Sequence, residues 1–125
     1  MGIIREIVFD CVHPARLARF WEGLLDGFEV RPYDDEEIAR LAALGLTPET
    51  DTNVMVDGPG LHLSFQQTDT PTPVKNKVHL DVMSEDRGAL VSQLRQQGAS
   101  VVQEFEGHTW MRDPESNDFC VTDAR

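Results

Sequence analysis

Short runs of β-branched and aromatic residues recur along the chain, several of them with apolar and polar residues in alternation. A period of two is typical of β-strands that bury one face. In residues 3–11, Ile7 and Phe9 alternate with Glu6 and Asp10, which places the two apolar residues on the face that a helix covers. The same criteria predict seven further strands, at residues 28–33, 53–57, 61–68, 77–83, 99–106, 108–112 and 119–123.

Two amphipathic helices are predicted between these strands. After Pro14, apolar residues recur at spacings of three and four until Gly27, which is the spacing of one helical face. Proline favours the first turn of a helix, and glycine favours the position after its end. Residues 87–97 show the same spacing behind Asp86, a residue type that caps helix N-termini.

A third, shorter helix is predicted after Asp34. Asp34 and Glu37 resemble a capping box, and Gly45 ends the helix. The apolar stripe is narrow and consists of Ile38, Leu41, Ala42 and Leu44. Because this helix interrupts a series of strands, residues 34–52 have two open roles, a lid over a site or a surface insertion.

The predicted elements follow one order twice: strand, helix, then three strands. Residues 70–73 contain two prolines in four residues, which favours an extended linker between the two halves. We therefore expect two βαβββ modules, residues 1–69 and residues 74–125, joined by this proline-rich linker. The predicted fold class is α+β, with curved mixed sheets and helices on the outer face.

Charge and cysteine content narrow the function classes. The 125 residues include 22 acidic and 11 basic side chains, for a formal charge of -11. This excess argues against nucleic acid and against anionic membrane surfaces, because Lys and Arg bind both. No apolar run approaches the roughly 20 residues that span a bilayer. Two cysteines, Cys11 and Cys120, are too few for a disulfide framework, so we expect a cytoplasmic protein.

Strand alternation also predicts which side chains point away from the helices. Polar residues on such a face indicate a binding cleft, although a solvated outer face gives the same pattern in antiparallel sheets. Cys11 is expected on the opposite, buried face. The residues predicted on the polar face are Glu6, Asp10, His62, Ser64, Gln66, His79, Asp81 and Cys120.

Four segments carry a family resemblance: residues 17–28, 76–82, 108–110 and 113–121. In order and spacing they resemble the glyoxalase/bleomycin resistance/dioxygenase superfamily, also called vicinal oxygen chelate, and most closely its glyoxalase-like domain proteins. The resemblance covers nearly the whole chain and is weakest in the 34–52 insertion. It implies a single glyoxalase-like domain over residues 1–125, and a homodimer as the assembly.

The resemblance also implies a metal site. Enzymes of the superfamily fold two modules into a cupped sheet and hold a divalent metal through the first and fourth strands of each module. Ser64 and Cys120 depart from the usual carboxylate or histidine at two of these positions, and the expected metal is Zn, Ni, Mn or Fe. The expected ligands are Glu6, His79 and Cys120, with His62 or Asp81 as substitutes.

Three functions follow as expectations. The first is a metal-dependent lyase or isomerase in which Glu6 is a metal ligand or the catalytic base. The second is a metal-free binding protein, similar to bleomycin-resistance proteins, that sequesters a cationic compound. The third is a dimerisation scaffold without a small-molecule role. The residues expected to contact a small molecule are Asp10, His62, Gln66, Asp81, His108 and Trp110.

Overall fold

The computed structural model describes residues 1–69 and 78–124. The chain divides into two compact units, Met1–Pro71 and Thr72–Arg125. Each unit is a four-stranded mixed sheet with helical segments in the order that the pattern predicts, so the α+β class and the βαβββ modules are confirmed. The linker predicted at residues 70–73 lies outside the described residues.

The first unit has strand order β1-β4-β3-β2. β1 runs parallel to β4, and the other two pairs are antiparallel. This arrangement follows from the chain path, because α1 returns the chain to the same end of the sheet while a tight hairpin joins β3 to β4. The elements are β1 (Ile7–Cys11), α1 (Pro14–Leu24), β2 (Glu29–Val30), α2 (Asp35–Ala43), β3 (Asn53–Gly58) and β4 (Leu61–Gln67).

The second unit repeats this arrangement with strand order β5-β8-β7-β6. β5 runs parallel to β8, and β8, β7 and β6 pair antiparallel. A bulge in β6 shifts the register between Val101 and Gln103. The elements are β5 (Leu80–Ser84), α3 (Arg87–Gln96), β6 (Ser100–Phe105), β7 (His108–Arg112) and β8 (Asp118–Asp123).

The core of the first unit is built on aromatic rings. Trp21 of α1 is fully buried, and its ring centroid lies 5.2 Å from that of Phe9. Phe9 in turn stacks on Phe65 of β4 at 5.0 Å. Tilted and offset pairs of this kind add to the free energy gained by burying the rings. α3 of the second unit is anchored more lightly, by buried Val91 and Leu94.

Helix α2 is capped as predicted but is only thinly packed. The Asp34 side chain accepts a hydrogen bond from the Glu37 backbone N–H at 2.8 Å. Of the predicted apolar stripe only Leu41 is buried, while Ile38 and Leu44 are 42% and 66% exposed. The stripe prediction was therefore too broad, because Leu41 is the one buried side chain of α2.

Five predicted strands are shorter in the structure, three of them by more than one residue at an end. β1 begins at Ile7 and not at residue 3, where its pairing with β4 begins, Ile7 opposite Leu63. β5 likewise begins at Leu80, and Val78, predicted to face the helix, is 75% exposed. The strand predicted at residues 28–33 contracts to Glu29–Val30, since Pro32 has no N–H to donate to a sheet.

Candidate functional site

Strand register defines the polar face of each sheet, because residues paired across neighbouring strands point to the same side. In the first unit, Ser64 of β4 lies between Val8 of β1 and Met55 of β3. In the second unit, Cys120 of β8 lies between Asp81 of β5 and Trp110 of β7. The assigned residues that lie within strands therefore point away from the helix-packed side chains, whereas Glu6 and His79 precede β1 and β5.

Polar groups on the first unit's face bond to one another. The Ser64 hydroxyl, almost fully buried, donates to Asn53 Oδ1 at 3.1 Å. At the rim, Arg31 donates two hydrogen bonds to the Asp57 carboxylate, at 2.9 and 2.8 Å. His62 Nδ1 lies 2.7 Å from the same carboxylate. These two partners, Arg31 first, lower the pKa of Asp57.

The remaining predicted residues of the first unit are more exposed. Asp10 and Gln66 are paired across β1 and β4, and both are exposed. Glu6 precedes β1, is partly buried, and accepts a hydrogen bond from Arg5 at 3.4 Å. No metal-ligating cluster within residues 1–69 or 78–124 includes Glu6, so its roles as ligand and base stay predictions.

The second unit brings three metal-type donors together. One ligand atom each of His79, Asp81 and Cys120 lies within 4.8 Å of the other two. His79 Nε2 is 3.3 Å from Asp81 Oδ1. Two features cause this arrangement: His79 and Asp81 are two residues apart in the chain, and Asp81 is the register partner of Cys120 across β5 and β8. His79 and Asp81 are exposed, and Cys120 is partly buried.

A pocket of about 250 Å³ opens beside these donors. The Phe105 ring stacks on His108, with ring centroids 4.6 Å apart and planes inclined by 9°. Because β6 and β7 are joined by a two-residue turn, Phe105 and His108 are register partners, a signal that could have identified Phe105 from the sequence. The pocket is lined by His79, Phe105, His108, Trp110, Asp118 and Cys120.

Asp118 fixes the aromatic wall of this pocket. Its side chain is fully buried and accepts hydrogen bonds from Trp110 Nε1 at 2.8 Å and from Arg112 Nε at 3.1 Å, both on Oδ1. The Arg112 guanidinium lies 5.8 Å from the Trp110 ring centroid, a cation–π distance. The sequence interpretation missed Asp118 because the last strand was predicted to begin at residue 119, whereas β8 begins at Asp118.

The four family ligand positions divide between the two units, with His79 and Cys120 in the second. Glu6 and Ser64 belong to the first unit, and the Ser64 hydroxyl is already engaged by Asn53. A neutral hydroxyl at one position and a thiol, Cys120, at another give a donor set unlike the oxygen-rich set preferred by octahedral metals. Asp81 instead joins His79 and Cys120 in one cluster, as the substitute ligand that strand alternation had named.

In the residues that the structure describes, no helix is long and apolar enough to cross a membrane.

Comparison with known proteins gives a consistent result. A family model described as a glyoxalase-like domain matches residues 6–122, and no curated protein sequence matches the chain.

Three solved structures illustrate the similarity in fold. The fosfomycin resistance protein FosX from Mesorhizobium loti has a TM-score of 0.68 at 12% identity, covering 98% of this chain and 91% of that chain. The trypanothione-dependent glyoxalase I of Leishmania major has a TM-score of 0.63 at 18% identity, covering 98% and 87%. A glyoxalase/bleomycin resistance protein from Albidiferax ferrireducens T118 has a TM-score of 0.58 at 13% identity, covering 99% and 100%.

Proposed function

The chain belongs to the glyoxalase-like domain family, and on that premise we propose that it binds a small organic molecule in the pocket of its second unit. The observation that carries the proposal is the pocket itself, a concave space of about 250 Å³ lined by the Phe105 and Trp110 rings together with two imidazoles, a carboxylate and a thiol. Such a lining is typical of small-molecule sites. The volume fits a compact ligand of one or two rings.

The charge of the chain favours a cationic ligand. The formal charge is -11, and the exposed Asp81 carboxylate lies among the donors at the edge of the pocket. Trp110 and Phe105 add π-faces that attract a cation. A sequestering role of the bleomycin-resistance kind would need these features and no metal. Asp10, His62 and Gln66 of the first unit stay predicted contacts, and a homodimer stays a predicted assembly.

A metal-dependent lyase or isomerase is the second candidate, favoured by the cluster of His79, Asp81 and Cys120. A divalent metal, when bound, would polarise a substrate carbonyl. The structural relatives include both a glyoxalase I and fosfomycin resistance proteins, so this fold carries more than one activity. Fold alone does not choose between them.

The experiment is a binding screen of cationic aromatic compounds, paired with neutral and anionic analogues, with and without EDTA. We expect the melting temperature to rise with a cationic compound, and the His108→Ala and Phe105→Ala variants to lose about tenfold or more in affinity, a loss typical of removing an aromatic contact. His13→Ala is the matched control, a histidine of the first unit at the N-cap of α1 whose side chain makes no capping hydrogen bond, and should stay within about twofold of wild type.

The EDTA arm separates the two candidates. Binding that persists in EDTA supports sequestration, and binding that disappears and returns with added metal supports the metal-dependent candidate. A protein that shows no shift with any compound, or that is affected as much by His13→Ala as by His108→Ala, would overturn the proposal that the second unit's pocket is the binding site.

A further inference from the structure

Helix α2 lines a pocket of the first unit that contains none of the site residues predicted from the sequence. The pocket has a volume of about 200 Å³. At about 30 Å³ per water molecule, it has the space of about six or seven waters, or of one molecule of an amino acid's size. Its lining comes from α2, from the segments on either side of α2, and from β3.

Two of the charged groups in this pocket are already paired. The buried Asp51 carboxylate accepts hydrogen bonds from the Tyr33 hydroxyl at 2.7 Å and from the Asn53 backbone N–H at 3.2 Å. The Arg31 guanidinium donates two hydrogen bonds to Asp57. These contacts fix the lining of the pocket and leave Asp51 and Arg31 with partners of their own.

Two charged groups of α2 have no such partner. Glu37 and Arg40 are three residues apart, a spacing at which an acid and a base often pair on a helix surface. Both line the pocket instead, and within the part of the chain that the structure describes neither side chain forms an ion pair or a hydrogen bond. Burial chiefly raises the pKa of Tyr33, and of the charges on α2 Glu37 raises it further while Arg40 lowers it. Both charges therefore act inside the pocket.

A ligand that satisfies both groups carries a negative and a positive group close together. A guanidinium binds a carboxylate through two parallel N–H bonds, and a carboxylate binds an ammonium group through a charge-assisted hydrogen bond. We propose that this pocket binds a free α-amino acid, with its carboxylate on Arg40 and its ammonium group on Glu37. The inference does not depend on the ligand proposed for the second unit's pocket.

Asn53 of β3 adds a donor for the same carboxylate. Its Oδ1 accepts the hydrogen bond from the Ser64 hydroxyl at 3.1 Å. Its side-chain NH₂ group forms no hydrogen bond within the described residues, and Asn53 lines the pocket. The polar groups of the sheet thus bond to one another, while this amide and the two charges of α2 remain for a ligand.

The insertion that contains α2 is held in place by contacts outside the pocket. Leu41 is the buried side chain of α2, and Glu49 accepts two hydrogen bonds from Arg19 of α1, each at 2.7 Å. Because neither Glu37 nor Arg40 takes part in these contacts, substituting them should leave the insertion folded. Of the two roles open to the insertion, the proposal favours a part in a binding site.

The test is a thermal-shift screen of the common α-amino acids, followed by isothermal titration calorimetry with the one that stabilises the protein most. We expect one amino acid to bind per chain. Its primary amide, which lacks the carboxylate, and its N-acetyl form, which lacks the ammonium group, should each bind at least about tenfold more weakly, since each loses a charge-assisted hydrogen bond. In NMR spectra, the Asn53 side-chain NH₂ signals should shift on binding.

Matched variants identify the two charged groups. Arg40→Gln and Glu37→Gln should each weaken binding by about tenfold or more. Glu36→Gln changes an exposed acid in the same first turn of α2, and Arg95→Gln changes the basic residue in the last turn of α3; both should stay within about twofold of wild type. Arg40→Lys keeps the charge without the paired donors, so its affinity should lie between those of wild type and Arg40→Gln.

Each outcome counts for or against the proposal once circular dichroism and melting temperature establish that the variants are folded. Binding that is lost in Arg40→Gln and Glu37→Gln and kept in the two controls supports it. No shift with any amino acid, undiminished binding of the amide or N-acetyl form, or equal losses in the controls would overturn it. Binding lost in His108→Ala and kept in Arg40→Gln would also overturn it, by placing the amino acid in the second unit's pocket.

Discussion

The two sheets have the same strand order and the same pairing, yet the centres of their polar faces differ in chemistry. The central position of each face is filled by three register partners on adjacent strands. In the first unit they are two apolar side chains and a hydroxyl that is hydrogen-bonded within the same sheet. In the second unit they are a carboxylate, a thiol and an indole. The matched sets are Val8, Ser64 and Met55 in the first unit, and Asp81, Cys120 and Trp110 in the second.

The rims of the two faces show a second matched position. Asp57 of β3 pairs with His62 of β4, and the corresponding pair in the second unit is Arg112 of β7 with Asp118 of β8. In both, a nitrogen of one side chain contacts a carboxylate across the strands, at 2.7 and 3.1 Å. They differ in burial, since the Asp57 side chain is 34% exposed and that of Asp118 is fully buried.

One backbone plan thus supports two uses. The first unit's face satisfies its polar groups internally, through Ser64 with Asn53 and through Asp57 with Arg31 and His62. The second unit's face directs its donors into a pocket. Register fixes where a side chain lies, and the residue type at that position decides whether it stabilises the sheet or is available to a ligand.

The rim pairs give the largest expected contrast. Asp118→Ala should lower the free energy of unfolding by about 1 to 3 kcal/mol, because it removes the acceptor of the Trp110 indole and of Arg112 at a buried position. His62→Ala at the matched position should cost less than about 1 kcal/mol, since it is an exposed pair and Asp57 keeps Arg31. Urea denaturation of both variants measures the difference.

Tryptophan fluorescence adds a second measurement to the comparison of these two variants. Asp118→Ala frees the Trp110 indole, so its fluorescence should shift while Trp21, buried in the first unit, keeps its environment. Equal costs for the two variants would contradict the assignment of a buried, pocket-forming pair to the second unit and an exposed pair to the first.

Alternation predicted the faces correctly because it depends only on the strand pleat. Leu63 and Phe65 are buried toward the helix side, while His62 and Gln66 are exposed opposite them. Caps were predictable for a similar reason, as Asp34 and Asp86 each accept a hydrogen bond from a backbone N–H within their own helix. These features are local, so the sequence around each residue determines them.

The membership of the donor cluster was harder to predict. Asp81 meets Cys120 because β5 lies parallel to β8 in one register, a long-range pairing that no local pattern specifies. The resemblance pointed to Glu6, whereas the described cluster contains Asp81. Strand ends were also missed, because β1 and β5 begin only where their pairing with β4 and β8 begins, which no local pattern specifies.

Tyr33 offers a spectroscopic test of how the first unit satisfies its polar groups. It is the one tyrosine of the sequence, and its hydroxyl donates to the buried Asp51 at 2.7 Å. Burial, reinforced by the Asp51 carboxylate, raises the pKa of Tyr33 well above 10.0. The stabilisation that the protonated Tyr33 hydroxyl gives the folded state is complete below the pKa of Tyr33 in the unfolded chain. It is lost as the pH rises toward the higher pKa of Tyr33 in the folded state.

Ultraviolet absorbance therefore should show phenolate only above the pH at which the urea-unfolded chain forms it. Tyr33→Phe should lose about 1 kcal/mol of stability near neutral pH and should unfold with a weaker dependence on pH above about pH 10. A folded-state titration that coincides with that of the unfolded chain would contradict the buried hydrogen bond to Asp51.

The smallest expected effect is on how the free energy of unfolding of the first unit changes at acidic pH. Arg31, and then His62, lower the pKa of Asp57, so this contribution is present above the unfolded-state pKa near 3.8 and is lost as the pH falls through the lower folded-state pKa. Because the group is partly exposed, the contribution should stay below about 1 kcal/mol.

Asp57→Asn should therefore be less stable than wild type near neutral pH and should approach it in strong acid. Arg31→Gln should reproduce most of the effect, and the double variant should add little to it. Additive losses of stability in the double variant would mean that Arg31 and Asp57 act separately. The rim of the first unit would then not be held by their ion pair, and this part of the comparison between the two faces would fail.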